Sequence, residues 1–358
     1  MDNIRWTMNL KGCKGRVLLA PRILAVVLCT AFLLPVAGGC TEAPQRYEMT
    51  YLSLFDTVVT IVLYAEGETE AQEMFRAVYD DLARYDALFD IYEEHEGTAN
   101  LKTVNDNAGK APVAVEPELL SLLLFGKEVY ALTEGRVNIA FGSVLTLWHD
   151  ARTAGIADPD SAALPERAAL EQAAHTDIEA VVLDEDAGTA YLADPELRLD
   201  VGAIGKGFAA QLACDNARER GVTSMLLNLG GNVCALGTRA DGKPWRIEVQ
   251  DPDDASAALG TVELADASLV TSGGYQRYYT VDGAAYHHII DPDTLMPADY
   301  VKAVTVTHAD SGLADAFSTA LFNLPYEQGR ALAQRNGVSA VWELYDGKIE
   351  WLSLVPAE

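Results

Sequence analysis

Four stretches of the 358-residue chain combine reactive side chains at meaningful spacings. Asp315 and Thr319 lie four apart in Ser311-Gly312-Leu313-Ala314-Asp315-Ala316-Phe317-Ser318-Thr319, so a helix there sets a carboxylate and a hydroxyl one turn apart on one face. Such oxygens suit a hard cation such as Mg²⁺. A solvated helix face would carry the same pair, yet Leu313, Ala316, Phe317 and Leu321 make this helix apolar. Ser311 reads as its N-cap. In 199–210, Leu-Asp-Val-Gly-Ala-Ile-Gly-Lys-Gly-Phe-Ala-Ala, an extended apolar run meets Gly202, Gly205 and Gly207 around Lys206. Glycines at a strand-to-helix junction let backbone N–H groups approach an anion, and Lys206 adds a charge suited to phosphate. The spacing is neither a Walker A loop nor G-x-G-x-x-G, and a plain tight turn before a helix is the other reading. The third stretch is His287-His288-Ile289-Ile290-Asp291-Pro292-Asp293-Thr294, where one histidine acts as a base or both satisfy core hydrogen bonds. The fourth, Thr271-Ser272-Gly273-Gly274-Tyr275-Gln276-Arg277, is a hydroxyl- and glycine-rich turn carrying one arginine.

The elements that must hold these groups follow from periodicity. A β-branched run predicts a strand over 51–63, and Met74, Phe75, Val78, Leu82, Tyr85 and Phe89 recur at helical spacing. A helix over 117–133 is closed by Gly135, and an acidic, Ala-rich helix covers 165–174. Short strands at 181–183 and 190–192 precede a helix over 205–220. Strands at 225–229, 233–236, 245–249, 260–264, 268–271 and 278–281 follow, with a hairpin turn at Asp282-Gly283. Helices at 312–322 and 326–336 and strands at 338–344 and 348–352 close the chain. Blocks of antiparallel-type strands alternating with long helices make an α+β fold, not a doubly wound one. No repeat or long linker divides it, so 49–355 is one large domain.

Arg5, Lys11, Lys14, Arg16 and Arg22 precede an apolar run at 23–34, too short to span a membrane but suited to a secretory leader. Ala37-Gly38-Gly39-Cys40 then reads as a bacterial lipoprotein signal. Residues 1–39 would be removed, Cys40 would carry the lipid (palmitate included), and 40–48 would tether the domain to the membrane of the cell envelope on its extracytoplasmic side. An uncleaved anchor is the other reading, with the same address. The net charge of −27 excludes nucleic acid and anionic lipid surfaces as partners. A phosphate-bearing ligand therefore needs a local cation. Outside the leader and Cys40 only Cys214 and Cys234 remain, which reads as two buried thiols more readily than as one bridge.

In this order and spacing, the motifs Phe55-Asp56-Thr57, Asn105…Asn107-Ala108-Gly109, Gly135 to Trp148, Asp200 to Phe208, Asn228-Leu229-Gly230-Gly231-Asn232, Asp241-Gly242…Pro244-Trp245, Thr271-Ser272-Gly273…Arg277, His288-Ile289-Ile290-Asp291-Pro292 and Ala314-Asp315…Thr319 resemble the ApbE-type FAD:protein FMN transferases. The resemblance spans most of the chain outside the leader. It implies an ApbE-like domain, related to the T-fold, of antiparallel sheets with packed helices. It also implies Mg²⁺-dependent transfer of FMN from FAD to a Thr or Ser hydroxyl of an acceptor protein through a phosphoester bond, with AMP released. Asp315, Thr319 and the Ala203 carbonyl would hold the metal. Phe55, Tyr92, Arg136, Val137, Asn138, Asp200, Lys206 and Ile289 would contact FAD. An acceptor hydroxyl needs a proton acceptor, and His288, or alternatively Asp291, is the candidate. Acceptors would carry a Ser/Thr-Gly-Ala-Ser/Thr segment, in a membrane redox complex or an extracellular electron-transfer protein. Three departures mark a variant: Asn138 where the family has an acid, Leu295 where it has glycine, and Gly274 where an acid is frequent. The alternative function is an extracytoplasmic lipoprotein that binds or hydrolyses FAD without modifying protein.

Overall fold

The computed structural model describes residues 4–6, 43–254, 256–275 and 277–353. Its strands in chain order are β1 (Ile4–Trp6), β2 (Gln45–Leu54), β3 (Thr57–Ala65), β4 (Val113–Ala114), β5 (Val181–Asp184), β6 (Thr189–Leu192), β7 (Ser224–Leu229), β8 (Asn232–Gly237), β9 (Trp245–Gln250), β10 (Ala258–Leu264), β11 (Ala267–Gly273), β12 (Tyr278–Val281), β13 (Ala284–His287), β14 (Ala303–His308), β15 (Ser339–Glu343) and β16 (Ile349–Leu352). The helices are α1 (Glu68–Phe89), α2 (Leu101–Asp106), α3 (Pro117–Leu132), α4 (Gly142–Ala157), α5 (Arg167–Gln172), α6 (Gly205–Glu219), α7 (Ser311–Phe322) and α8 (Tyr326–Arg335).

One antiparallel sheet in the order β16-β15-β14-β11-β8-β7-β3-β2 organises the molecule. Its central strands are buried on both faces, and the two-residue pleat sorts their side chains. Ile61, Leu63, Cys234, Leu236 and Val270 join the main core with α1, α6 and α7, whereas Val62, Ala235 and Leu269 face the small β1-β10-β9 sheet through Trp245, Val262 and Leu264. A third cluster (Phe141, Val144, Trp148, Tyr279, Ile290 and Leu295) docks α4 on the β12-β13 hairpin, and Trp148 Nε1 donates to the Leu295 carbonyl at 3.0 Å. Each fully buried Leu, Ile or Phe contributes about 1.5–3 kcal/mol by leaving water. The α+β class and the antiparallel sheets with packed helices agree with the sequence reading.

Several local expectations need correction. The run read as one strand over 51–63 is two strands, β2 and β3, joined by a two-residue turn at Phe55-Asp56 with φ of 52° and 51°. Its β-branched residues flank a turn that lacks the usual Gly or Asn. The 271–277 segment is not a turn throughout, because β11 runs to Gly273. There Ser272 Oγ meets Ser318 Oγ at 2.8 Å and ties the strand to α7. The N-cap of α7 is Asp310, whose Oδ1 accepts from Leu313 N–H at 2.8 Å, while Ser311 is the first helical residue. Helices α2 and α4 and strand β14 were not foreseen. Asp282 and Gly283 do form the expected hairpin turn, with φ of 50° and 82°. Cys214 and Cys234 are both free and buried. The expected leader lies outside the described residues apart from Ile4–Trp6, which pairs with β10, and Cys40 also lies outside them.

Candidate functional site

The centre of the site is the crossing of α6 and α7. A Cβ on Gly207 would lie 2.4 Å from both Asp315 Cβ and the Ser311 carbonyl oxygen, so only glycine lets these helices come this close. The approach brings the Gly207 N–H onto Asp315 Oδ2 at 2.8 Å. Asp315 is 4 % exposed, and burial raises its pKa above the ordinary carboxylate range. Lys206, the Gly207 N–H and the Asn232 amide oppose that shift. Asn232 is itself buried, and its Nδ2 makes no hydrogen bond of ordinary length.

The glycines do not cradle an anion as their spacing suggested. Gly202 N–H donates to Asp200 Oδ1 at 2.7 Å, Gly205 N–H to the Val201 carbonyl at 2.7 Å, and Gly207 N–H to Asp315. Carboxylates and carbonyls occupy the amides that a phosphate would have used. One consequence favours a cation. In a helix the Gly207 N–H would bond to the carbonyl four residues back, that of Ala203. Asp315 captures it instead, and among the described residues nothing donates to the Ala203 oxygen. The Thr319 hydroxyl likewise has no hydrogen-bond partner among them, although it lies one turn from Asp315 on α7. A buried carboxylate, an undonated carbonyl and an unengaged hydroxyl are the hard oxygen donors that Mg²⁺ takes, so these residues fit the ion. Asp251, Asp253 and Glu343 form a second cluster of ligand-type oxygens. There Lys302 Nζ already lies 3.0 Å from Glu343 Oε1 and pairs with Asp253.

Beside this centre lies a ring of polar and aromatic groups. Asp200 is held by Asn105, whose amide takes the place of a strand partner: Nδ2 donates to the Leu199 carbonyl at 3.0 Å and Oδ1 accepts from Leu199 N–H at 2.7 Å. Burial raises the Asp200 pKa, against the pull of Gly202 N–H, His149, Lys206 and Arg152. Tyr92, 53 % exposed, stacks obliquely on His149 at 5.0 Å between centroids, with its hydroxyl 3.3 Å from Nδ1. Burial of that hydroxyl, then Asp200, pushes its pKa up to about 12. The Phe55-Asp56 turn is pinned by Asp86, which accepts from Phe55 N–H at 3.1 Å, and by Arg277, which donates to the Asp56 carbonyl at 3.3 Å. Below it, a Cβ on Gly230 would sit 2.2 Å from Thr57 Oγ1, so the Gly230-Gly231 turn must be bare there.

The two histidines divide their tasks. His287 is fully used: Nε2 donates to the Ala298 carbonyl at 2.7 Å and Nδ1 accepts from Ile289 N–H at 3.2 Å. His288 Nδ1 lies 3.2 Å from the Arg277 carbonyl, which can only accept, so the proton sits on Nδ1 and the lone pair on Nε2. Burial lowers its pKa to about 3, with Arg277 and Arg152 acting in the same direction. His288 is thus a neutral proton acceptor at pH 7.

The other expected ligands are engaged within the protein. Arg136 pairs with Asp293 at 2.6 Å and with Asp291 at 3.5 Å. Asp291 is buried and also accepts from Tyr300 O–H and Asp293 N–H, at 2.8 and 2.9 Å, so its carboxylate holds the 291–297 loop. Val137 and Ile289 are core residues. Asn138 caps the 139–141 turn through Ala140 N–H (2.9 Å) and donates to the Thr176 carbonyl (2.8 Å), a bond an aspartate could not make. That turn still abuts the site, because Asp200 N–H donates to the Ile139 carbonyl at 2.9 Å. Sequence reasoning missed His149, Arg152 and Asp86. The first two sit on α4, whose period the glycines and small residues obscure.

This geometry can be set beside known proteins. The ApbE family model matches residues 55–342. A Klebsiella pneumoniae protein named FAD:protein FMN transferase is 33 % identical over 292 residues, covering 81 % of this chain and 86 % of its own. One of the same name from Treponema pallidum is 34 % identical over 340 residues, covering 91 % of each. The crystal structure of the ApbE protein of Thermotoga maritima superposes with a TM-score of 0.76 at 28 % identity, over 86 % of this chain and 97 % of that one. The apo flavinyl transferase ApbE of Pseudomonas stutzeri gives 0.73 at 25 %, over 87 % and 95 %. With the match running from the Phe55 turn to β15, past every group of the α6–α7 crossing, the chain belongs to the ApbE family.

Proposed function

We propose that this protein transfers FMN from FAD to a Ser or Thr hydroxyl of an acceptor protein. The observation that carries the reading is the α6–α7 crossing, where Asp315, the Ala203 carbonyl and Thr319 offer a cation site beside Lys206 and Asp200. Asp315, Ala203 and Thr319 would hold Mg²⁺, which supplies charge neutralisation at the pyrophosphate when bound. Lys206 adds positive charge there. The exposed ring of Tyr92 and the ring of Phe55, on a turn whose backbone is pinned, suit the faces of the flavin. The acceptor hydroxyl oxygen bonds to the flavin-side phosphorus while its proton passes to His288 Nε2. The phosphorus–oxygen bond to the AMP half breaks, and AMP departs with the electron pair. Phosphoryl-type transfer depends mainly on alignment and charge, and base assistance is worth roughly 10²–10⁴-fold. His288 fits that role better than Asp291, whose oxygens are already engaged. An acceptor with a Ser/Thr-Gly-Ala-Ser/Thr segment, and an envelope location through a lipid on Cys40, rest on the sequence alone.

The test is mass spectrometry of such an acceptor domain after incubation with residues 41–358, FAD and Mg²⁺. A mass gain equal to FMN that EDTA prevents is expected. Release of AMP and FMN with the acceptor unmodified would replace transfer by hydrolysis.

A further inference from the structure

Two arginines beside the base carry charge that no carboxylate among the described residues pairs, although Arg277 also holds the Asp56 carbonyl. Arg152 lies on α4 and Arg277 just before β12, and these elements meet where a Cβ on Gly155 would lie 2.7 Å from Tyr279 Cδ2. Arg152 is one helical turn from Gly155 and Arg277 is two residues before Tyr279, so this packing brings the two arginines near enough for each to feel the other's charge. Neither makes an ion pair among the described residues, although the chain has 53 acids to 26 bases. Arg152 Nη2 reaches only His149 Nδ1, at 3.3 Å, and Arg277 Nη2 only the Asp56 carbonyl, at 3.3 Å. The carboxylate nearest in charge to Arg152, Asp200, spends Oδ1 on Gly202. Both arginines are electrostatic neighbours of His288 and Tyr92, and burial with mutual repulsion lowers the Arg152 pKa. In so acidic a chain, adjacent guanidiniums left without carboxylates are a place prepared for an anion.

We propose that Arg152 and Arg277 together bind the flavin-side phosphate of FAD through its non-bridging oxygens and stabilise its charge during transfer. The inference rests on the transferase reading for its ligand. His288 supplies the positional argument: the base must reach a hydroxyl that is attacking this same phosphorus, and His288 is fixed through the Arg277 carbonyl. The arginines then lie on the base side of the reacting phosphorus, while Lys206 and the α6–α7 crossing serve the pyrophosphate from another direction. Guanidinium groups match phosphate oxygens in a fixed fork, so lysine at either position would restore charge but not geometry.

The experiment compares FMN with riboflavin, which differ by the phosphate alone, as ligands of the wild type, Arg152→Gln, Arg277→Gln and both Arg→Lys variants, by calorimetry. The wild type should prefer FMN. Each Gln variant should weaken FMN binding by roughly 10- to 100-fold and riboflavin binding far less, the small riboflavin loss being confined to Arg277→Gln, which also frees the turn carrying Phe55. The kcat for FMN transfer should fall while the Lys variants recover part of it. Equal losses for both flavins, or an FMN preference untouched in all four variants, would overturn the proposal. If the wild type transfers no FMN but its FMN preference still depends on both arginines, the anion site stands and the transferase reading fails. If transfer proceeds with a preference independent of the arginines, only this proposal fails.

Discussion

Replacing Asp315 by Asn would separate the contribution of the proposed metal from that of the fold. The side chain keeps its size and an oxygen that can accept the Gly207 N–H, so the α6–α7 contact persists, while the charge that attracts a cation is gone. In the wild type that charge is buried and its pKa raised, so an ionised Asp315 is costly until a cation neutralises it. The metal-free variant should therefore melt no lower than the metal-free wild type, to within about 1 kcal/mol. Mg²⁺ at a hundred times its Kd stabilises a protein that binds it only when folded by about 2.7 kcal/mol. Unfolding entropy of about 2.1 cal/mol/K per residue, over roughly 300 residues, converts that to a rise in Tm of about 4 °C. Differential scanning calorimetry with EDTA and with saturating Mg²⁺ should show this rise for the wild type and none for Asp315→Asn. FMN transfer should fall by about 10²–10³-fold, the scale of losing one preorganised electrostatic group. A variant that keeps the full Mg²⁺ shift would refute the assignment and turn attention to Asp251, Asp253 and Glu343.

Two further outcomes follow from the same geometry. His288→Gln should lower kcat by about 10²–10⁴-fold while leaving the Kd for FAD within about threefold. Because the folded pKa of His288 is about 3, wild-type kcat/KM should show no inflection near pH 6.5, and one there would remove His288 as the base. The same depressed value means that His288 contributes stability above pH 6.5, where the unfolded chain is also neutral. That contribution is lost as pH falls from 6.5 towards 3, and the Gln variant should lose this part of the acid sensitivity in urea titrations. Gly207→Ala forces a methyl against Asp315 Cβ and the Ser311 carbonyl. It should cost about 1–3 kcal/mol in chemical denaturation, and a change below about 0.5 kcal/mol would mean the helices separate freely.

Long periodic elements and spacings within one helix were legible in the sequence. The stripe from Met74 to Phe89 predicts α1, and the i, i+4 spacing of Asp315 and Thr319 is kept on α7, whose apolar face fixes the helix. Contacts between distant segments were not legible. Phe55 and Asp56 bend the chain without a turn residue because Asp86, 31 positions on, and Arg277, 221 positions on, hold them in a left-handed conformation. That Arg136 pairs with Asp291 and Asp293 is likewise invisible locally, since those acids lie more than 150 positions on. Arg152 has no carboxylate partner among the described residues, and that is visible only once α4 is docked.

Of the two readings of the glycine loop, an anion cradle and a tight turn before a helix, the occupied amides fit the turn. Gly-x-x-Gly-Lys-Gly before a helix suggests amides turned towards a phosphate, yet Asp200 and Asp315 take the amides of Gly202 and Gly207. Once two carboxylates occupy those donors, a pyrophosphate brought to the same loop meets negative charge, and Lys206 alone does not balance it. The capture of the Gly207 N–H also frees the Ala203 carbonyl, so the change that closes the loop to anions supplies an oxygen for a cation. On the proposed reading the order is carboxylate first, metal second, phosphate third. Metal-free protein should discriminate against FAD relative to FMN, which carries only the phosphate that Arg152 and Arg277 receive, and Mg²⁺ should reverse that preference. Titrating both flavins with and without EDTA measures it, and a metal-free preference for FAD would show that the amides, not the ion, receive the pyrophosphate.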